Sequence, residues 1–382
     1  MLTTYRVVTH VHSAGSNRLA NRSYPLISSF LAREVGQAAQ GLPWFECETT
    51  LADLEEVLAG RRTSRPVDLL FLTDHVSARR HVVDEEALAL ARRCHRFGVG
   101  AEIQTVLSDR CGGWIDAPEV LVYGPAGPHD GPLGRHYGIT QALLDDLYDC
   151  CTPLGAPAPD TVAVHGFCEA RRLACALAHP LDGHDLRLEQ LLALIGLFDV
   201  VEVVNGGFSQ RSARLLERLL AARRRENERR RSPAHEAGAG LPAALALGGS
   251  DAHVDDFDRV VTLFAATHRP TAGDFIAAML AARRDPSVRE RFAIEGRGIA
   301  TLTLYREVMT LVVRNIRRLS PCLPGLGLQA RVLIRGVLAA SSELRRLDRS
   351  AARLQAELCD WLDREEGGLD PAPWHLAADL LR

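Results

Sequence analysis

Short apolar segments that end in polar, metal-binding side chains constrain the fold of this chain more than any other feature. Apolar runs of this kind, rich in Val, Leu and Ala, are typical of parallel strands buried on both faces. Seven of them lie between residues 5 and 270: Tyr5–Val11, Val67–Thr73, Phe97–Ile103, Glu119–Tyr123, Leu173–Ala178, Phe198–Val204 and Ala244–Leu247. Helical patterns separate several of them, at Leu51–Leu58, Asp84–Phe97 and Ser209–Arg225. The repeated strand–helix order predicts an α/β barrel or an open parallel sheet.

The ends of these segments carry the residue types that hold divalent metals. They are His10 and His12, Asp74 and His75, Glu102, His179, Glu202 and Asn205, and Asp251 and His253. Barrel enzymes place their chemistry at the carboxyl ends of their strands. A spacing of two residues, as between His10 and His12, puts both side chains on one face of a strand. Mixed imidazole and carboxylate ligands suit zinc, manganese or iron, which can lower the pKa of a bound water and hold a phosphate.

Composition narrows the chemistry further. All 45 basic residues are Arg, which excludes a Schiff-base lysine and a Walker-type phosphate loop. A net charge of −3 does not favour a general nucleic-acid coat. Nine Cys without a CxxC spacing argue against a disulfide framework or a zinc ribbon, so a cytoplasmic location is expected. The sequence has neither a signal-peptide pattern nor a long apolar run, and no membrane association is expected.

The ordered set of motifs resembles the PHP family, the polymerase and histidinol phosphatase superfamily. The motifs stand in the family's order and are His10-Val-His12-Ser, Thr-Asp-His75, Gly-Ala-Glu102, Ala-His179-Pro, Glu202-Val-Val-Asn205 and Gly-Ser-Asp251-Ala-His253. The resemblance implies an α/β fold, a distorted, TIM-like (β/α)7 barrel over residues 1–300 with an insert at about 19–66. It also implies a metal-dependent phosphoesterase with two or three divalent ions, Mn, Zn or Fe.

Three metal positions follow from the resemblance, and the catalytic residues would act through the bound metals. The first would use His10, His12, Glu102 and Asp251, and the second would share Glu102 and add His179 and Glu119. The third would use His75, His253 and Asn17. Glu119 stands where family members often have His, and Asn17 where they often have Asp. Carboxylate in place of imidazole favours manganese, and the neutral Asn weakens the third position, so we expect a dinuclear centre that manganese activates better than zinc.

Further polar residues are candidates beside the metals. Arg79, Arg80 and His81 follow the second strand and could bind phosphate oxygens, although an exposed loop explains them equally well. Asn205 is a second substrate candidate, and Asp74 is expected to orient a neighbouring ligand. His165, inside a predicted helix, is expected to be structural, and His184 is expected at the surface.

Residues 301–382 form a predicted helical extension. Amphipathic patterns at Leu302–Arg318, Leu328–Leu347 and Ala351–Leu362 are broken by Pro and Gly. These helices could bind a protein partner or close an oligomer.

Three functions remain open at the level of sequence. The first is a phosphatase-like hydrolase, in which a metal-activated hydroxide attacks the phosphorus of a small phosphorylated substrate. The second is a nuclease or phosphodiesterase on the same centre, with the Arg-rich regions 223–231 and 306–353 following a nucleic-acid backbone. An aromatic content of 5% offers few stacking platforms for it. The third is a metal-binding regulatory module whose altered ligands have weakened catalysis.

Overall fold

Strands, several of them consecutive, and helices make up the part of the chain that the structure describes. The structure is a computed structural model, and it describes residues 1–13, 47, 49–76, 83–108, 113–125, 129–131, 134–136, 138–181, 186–207, 209–230, 244–252, 256–299, 310, 313, 314, 317 and 325–366. The strands are β1 (Thr3–Val11), β2 (Leu69–Leu72), β3 (His75–Val76), β4 (Phe97–Val99), β5 (Ala101–Ser108), β6 (Trp114–Pro125), β7 (His129–Gly131), β8 (Gly134–His136), β9 (Leu173–Leu177), β10 (Val200–Asn205), β11 (Leu245–Gly249), β12 (Val260–Ala266) and β13 (Phe292–Gly296).

The helices within the described residues include all three that were predicted between the strands. They are α1 (Leu51–Leu58), α2 (Glu85–Arg93), α3 (Gln141–Cys151), α4 (Thr161–Arg171), α5 (Leu188–Leu197), α6 (Gln210–Arg230), α7 (Ala272–Ala282), α8 (Pro286–Arg289) and α9 (Leu326–Glu366). The helix predicted at Leu51–Leu58 is confirmed at both ends. The helix predicted at Asp84–Phe97 is shorter at both ends. Asp84 lies outside its first turn and accepts from Glu86 N and Ala87 N, and the chain becomes extended at Cys94, shortly before β4 begins at Phe97.

The α/β class is confirmed, and the strands form two mixed sheets rather than parallel ones. The first sheet has the order β13-β12-β1-β2-β4, the second has the order β11-β10-β9-β6-β5-β3, and β7 and β8 form a separate pair. β6 runs antiparallel to β5 and to β9. Only residues 109–113 connect β5 to β6, and a parallel connection needs a crossover of a dozen residues or more. The expected parallel direction of Glu119–Tyr123 is therefore wrong.

The two sheets meet along the carboxyl end of β1. Asp251 N donates to His10 O at 2.9 Å, and His12 N donates to Ala252 O at 3.1 Å. On the other side, Glu102 N donates to Asp74 O at 3.0 Å. Neither sheet closes on itself within the described residues, so the seven-stranded barrel stays a prediction. These contacts nevertheless bring the ends of several strands to one place.

An aromatic core fills the space between the sheets. Phe71 packs against Tyr123 and Phe275 with ring centroids 5.4 Å apart in each case, and Phe275 packs against Phe264 at 5.5 Å. Phe71 and Phe264 belong to the first sheet, Tyr123 to the second and Phe275 to α7, so this helix covers the space between them. Tyr123 also donates its hydroxyl to Thr9 O at 3.1 Å. The core thereby supports β1 just before its two histidines.

The extension contains one continuous helix where two were predicted. α9 spans 41 residues, and the predicted break between Leu347 and Ala351 is wrong because that stretch holds neither Pro nor Gly. Its carboxyl-terminal part buries Leu358 and Trp361, and Arg218 of α6 pairs with Asp363 at 2.7 Å. Most of the predicted helix Leu302–Arg318 lies outside the described residues. Among the described residues, no helix combines the length and apolarity that a membrane span needs.

Candidate metal centre

Seven of the predicted ligands converge on one buried cluster, although they come from six different parts of the chain. They are His10, His12, His75, Glu102, Glu119, His179 and Asp251, and we name them the central cluster. The predicted residues Asn17, Arg79, Arg80, His81, His184 and His253 lie outside the described residues.

Glu102 occupies the middle of the central cluster. Its Oε2 lies 2.7 Å from His75 Nδ1 and 3.4 Å from His12 Nε2. Its Oε1 lies 3.1 Å from His179 Nε2 and 3.4 Å from His10 Nε2. Glu102 is completely buried, and the pairing of β5 with β3 places it directly beside His75. One carboxylate thus reaches four imidazoles that arise from three separate segments.

The two histidines of β1 point their Nε2 atoms at the same point. His10 Nε2 and His12 Nε2 are 3.1 Å apart, and His12 Nε2 is 3.0 Å from Asp251 Oδ1. With Glu102, the ligand atoms of His10 and His12 lie within 4.8 Å of one another. Glu102, Glu119 and His179 form a second group of the same size. Both groups could hold a metal ion, and Glu102 belongs to each.

Glu202 fixes the orientation of His10 from behind. Its Oε1 lies 3.0 Å from His10 Nδ1, and its Oε2 accepts from Asn205 Nδ2 at 2.9 Å and from His179 N at 3.3 Å. A proton shared between His10 Nδ1 and the carboxylate leaves the lone pair on Nε2, where a metal would bind. Sequence reasoning gave Glu202 no role. A buried acidic residue in the otherwise apolar run of β10 is the signal that could have revealed it.

Asn205 and Asp74 support the cluster through hydrogen bonds with Glu202 and with Ser13. Asn205 is buried, and its Oδ1 accepts from Gly207 N at 2.7 Å while its Nδ2 holds Glu202. Both ends of its amide therefore make hydrogen bonds within the protein. No contact tests a substrate role for Asn205, which stays a prediction. Asp74 accepts from Ser13 N at 2.6 Å and from Ser13 Oγ at 2.7 Å. It thereby fixes the chain immediately after His12, in agreement with the predicted orienting role.

The backbone around the cluster adopts conformations that are uncommon outside functional sites. His179 has a φ of 23° and Asp251 a φ of 49°, both in the left-handed region that non-glycine residues rarely occupy. Gly249 is required by close packing, because an added Cβ would overlap Glu202 Oε1 and lie 2.6 Å from His10 Cβ.

Burial and charge shift the pKa values within the cluster in a consistent way. Burial alone would lower the pKa of His10, but the neighbouring carboxylates, Glu102 first, raise it well above the usual value. Burial alone would also lower the pKa of His179, but the hydrogen bond to Glu102 and the charges of the nearby carboxylates raise it to about 10. Burial would raise the pKa of Glu102, but His10 and His75 hold it well below its usual value. Burial raises the pKa of Glu119.

These shifts show that the buried carboxylates need positive charge beside them. Either protons on the imidazoles or bound cations can supply that charge, and a metal that binds such a site displaces the protons. The donor set of nitrogen and carboxylate oxygen atoms suits a divalent transition metal. The cluster therefore fits a metal ion in both charge and ligand chemistry.

Comparisons with family models, with curated proteins and with solved structures found no match for this chain.

Proposed function

We propose that this chain is a metal-dependent phosphoester hydrolase of the PHP type, with a distorted (β/α)7 barrel around the central cluster. The observation that carries the proposal is the position of Glu102, which belongs to two three-residue groups with metal-binding geometry. A carboxylate shared between two such groups is the arrangement expected of a dinuclear centre. The ordered sequence motifs of the PHP resemblance support the same assignment.

The residues of the central cluster divide between two ions. His10, His12 and Asp251 would hold the first, and His179 and Glu119 the second, with Glu102 between them. A metal pair of this kind lowers the pKa of a bound water and stabilises the negative charge on a phosphoryl group. His75 lies against Glu102 Oε2, and with His253 and Asn17 it would form a weaker third position.

The protein itself supplies orientation and exclusion of water. Glu202 keeps the lone pair of His10 directed into the cluster, and Asp74 anchors the chain after His12. Both carboxylates are buried, so their hydrogen bonds act in a medium of low dielectric constant, where they are stronger than in water. The ligands are thus set in place before a substrate arrives. Arg79, Arg80 and His81 are the proposed phosphate-binding residues.

A small phosphate monoester is the proposed substrate rather than a nucleic acid. The Arg-rich region 223–231 was the candidate surface for a nucleic acid. Two of its arginines have partners within the protein. Arg223 is buried and donates to Phe198 O at 2.7 Å, and Arg225 pairs with Glu365 at 2.8 Å. Engaged side chains of this kind cannot follow a phosphate backbone without giving up these contacts.

Turnover by metal-reconstituted protein tests the proposal. Apo-protein loaded with Mn²⁺ or Zn²⁺ is assayed with p-nitrophenyl phosphate and with bis(p-nitrophenyl) phosphate. We expect the monoester to be preferred, with about a 100-fold loss of kcat/KM in Asp251→Ala and His12→Ala. The control is His268→Ala, which removes an imidazole that is 71% exposed. Preference for the diester would overturn the phosphatase assignment, and tight metal binding without turnover would favour a regulatory module.

A further inference from the structure

A second group of metal-binding side chains lies at the opposite ends of the strands from the central cluster. It consists of His165, Glu169 and Asp199, and we name it the basal cluster. Its three ligand atoms lie within 4.8 Å of one another. Asp199 immediately precedes β10, whereas Glu202 and Asn205 of the same strand serve the central cluster. The two clusters are therefore separate sites, and the inference drawn from the basal cluster is independent of the proposed function.

His165 offers a nitrogen atom that needs a partner. The side chain is 5% exposed, and its Nε2 is buried without a hydrogen-bond partner among the described residues. Its ring stands edge-on to Phe198, with centroids 4.8 Å apart and planes at 64°, and this contact fixes the direction of the ring. A buried polar atom left without a partner destabilises the folded state. Such an atom indicates a ligand at that point.

Asp199 presents a second buried atom to the same place. The residue is 8% exposed, and its Oδ1 is buried with no hydrogen-bond partner in the described part of the chain. Its Oδ2 accepts from Arg283 Nε. Arg283 also donates to Glu169 Oε1 at 2.7 Å. The guanidinium thus donates to one oxygen of each carboxylate and leaves the second oxygen of each available to a metal ion. Hydrogen-bond donors around metal sites orient ligating carboxylates in the same way.

The helix geometry brings the third ligand to the site. Glu169 follows His165 by four residues on α4, which places the two side chains on one face of the helix. A narrow pocket of about 10 Å³, close to the volume that one water molecule needs, lies beside His165 and Asp199. His165, Asp199 and Arg283 line it together with apolar side chains of β9, β10 and α7.

The charge of the basal cluster favours a cation. Two carboxylates and one guanidinium leave a net charge of about −1 when the imidazole is neutral. Burial is the main reason why the pKa of His165 lies below its usual value, although Glu169 and Asp199 oppose the shift. A neutral imidazole can donate a lone pair to a metal.

We propose that His165, Glu169 and Asp199 bind one zinc ion that links α4 to the start of β10. Imidazole nitrogen and carboxylate oxygen are both zinc ligands, and a solvent molecule would complete the coordination. Because the ion would bind the folded chain and not the unfolded one, it would stabilise the fold.

Zinc stoichiometry in matched variants of the full-length chain tests this proposal. Wild type, His165→Gln, Glu169→Gln and the control His268→Gln are dialysed against buffered free Zn²⁺ and analysed by elemental mass spectrometry. We expect one zinc fewer per chain in His165→Gln, an affinity at this site at least about tenfold weaker in Glu169→Gln, and no change in the control. Glu169 is 53% exposed, so Glu169→Gln is expected to fold even if the replacement of His165 does not.

A second measurement isolates the basal cluster from the central one. In an Asp251→Ala background, zinc should still raise the melting temperature, and addition of Glu169→Gln should reduce that rise. Equal zinc binding in wild type and both basal variants, or a melting temperature unaffected by zinc in the Asp251→Ala background, would overturn the proposal and favour a bridging water. Phosphoester turnover is followed in the same preparations. Its absence from all of them would contradict the proposed function alone.

Discussion

Glu202→Gln provides a sharp test of how the central cluster is organised. The wild-type carboxylate accepts from His10 Nδ1, Asn205 Nδ2 and His179 N, over distances of 3.0, 2.9 and 3.3 Å. Gln has nearly the same shape but only one acceptor oxygen, and its other terminal atom donates. If the oxygen faces His10, the amide nitrogen meets two other donors. If it faces those donors, His10 must move its proton to Nε2, the nitrogen that points at His12.

The size of the effect follows from these two arrangements. Loss of the correct donor–acceptor match at a buried group costs about 1–3 kcal/mol of folding free energy in the apo-protein. Loss of an outer partner of a metal-binding His weakens metal affinity by about 10–100-fold, or about 1.4–2.8 kcal/mol. We therefore expect both a lower unfolding free energy and a weaker first metal site, with the second site less affected.

The assay is competition between apo-protein and a chelator of known affinity, combined with urea unfolding of the metal-free protein. The matched control is Glu55→Gln, because the carboxylate of Glu55 lies at the surface and pairs with Arg93 at 2.7 Å. A surface pair of this kind contributes no more than about 1 kcal/mol. Metal affinity of Glu202→Gln within twofold of wild type, with the fold intact, would refute the role assigned to Glu202.

Four further substitutions have distinct expected outcomes. Gly249→Ala should lower the unfolding free energy by about 1–3 kcal/mol, because the added methyl group overlaps atoms beside His10. Gly166→Ala lies in open space on α4 and should raise the unfolding free energy by about 0.5–1 kcal/mol. Urea unfolding measures both changes. Leu358→Ala should cost about 2–5 kcal/mol because this side chain of α9 is fully buried, and a thermal midpoint equal to wild type would show that α9 does not pack on α6. Glu119→His should shift the metal preference from manganese toward zinc, because it replaces an oxygen ligand by a nitrogen ligand. Titration of apo-protein with each ion measures the preference. An unchanged preference would show that Glu119 is not a ligand.

The local features of this chain could be predicted from sequence more readily than its long-range pairings. The apolar runs and the polar residues at their ends indicated most strands and all members of the central cluster except Glu119, since each signal lies within a few residues. Glu119 was a candidate only through the family resemblance. The antiparallel direction of β6 and the pairing of β1 with β12 were not predicted, because they depend on chain connections rather than on composition. Residues Thr3 and Ala266 are partners in that pairing although most of the chain separates them.

The basal cluster and the role of Glu202 show a second kind of feature that the sequence alone does not predict. The four-residue spacing of His165 and Glu169 is common on helices and signals nothing alone. Asp199 joins them only because β10 begins beside α4 in the folded protein. Similarly, the hydrogen bond from Glu202 to His10 requires β10 and β1 to face the same interior. Residue types suggest chemistry, but the choice of partners is made by tertiary packing.

The position of β1 between β2 and β12 has a consequence for how the protein is made. Asp251 and the antiparallel partner of β1 are synthesised about 240 residues after His10 and His12. At about 5–20 residues per second, roughly 12 to 48 seconds separate these events. During that interval the histidines of β1 have no native carboxylate from the end of β11 beside them. The complete set of ligands can therefore form only after Asp251 has been translated, and full metal loading must follow that step.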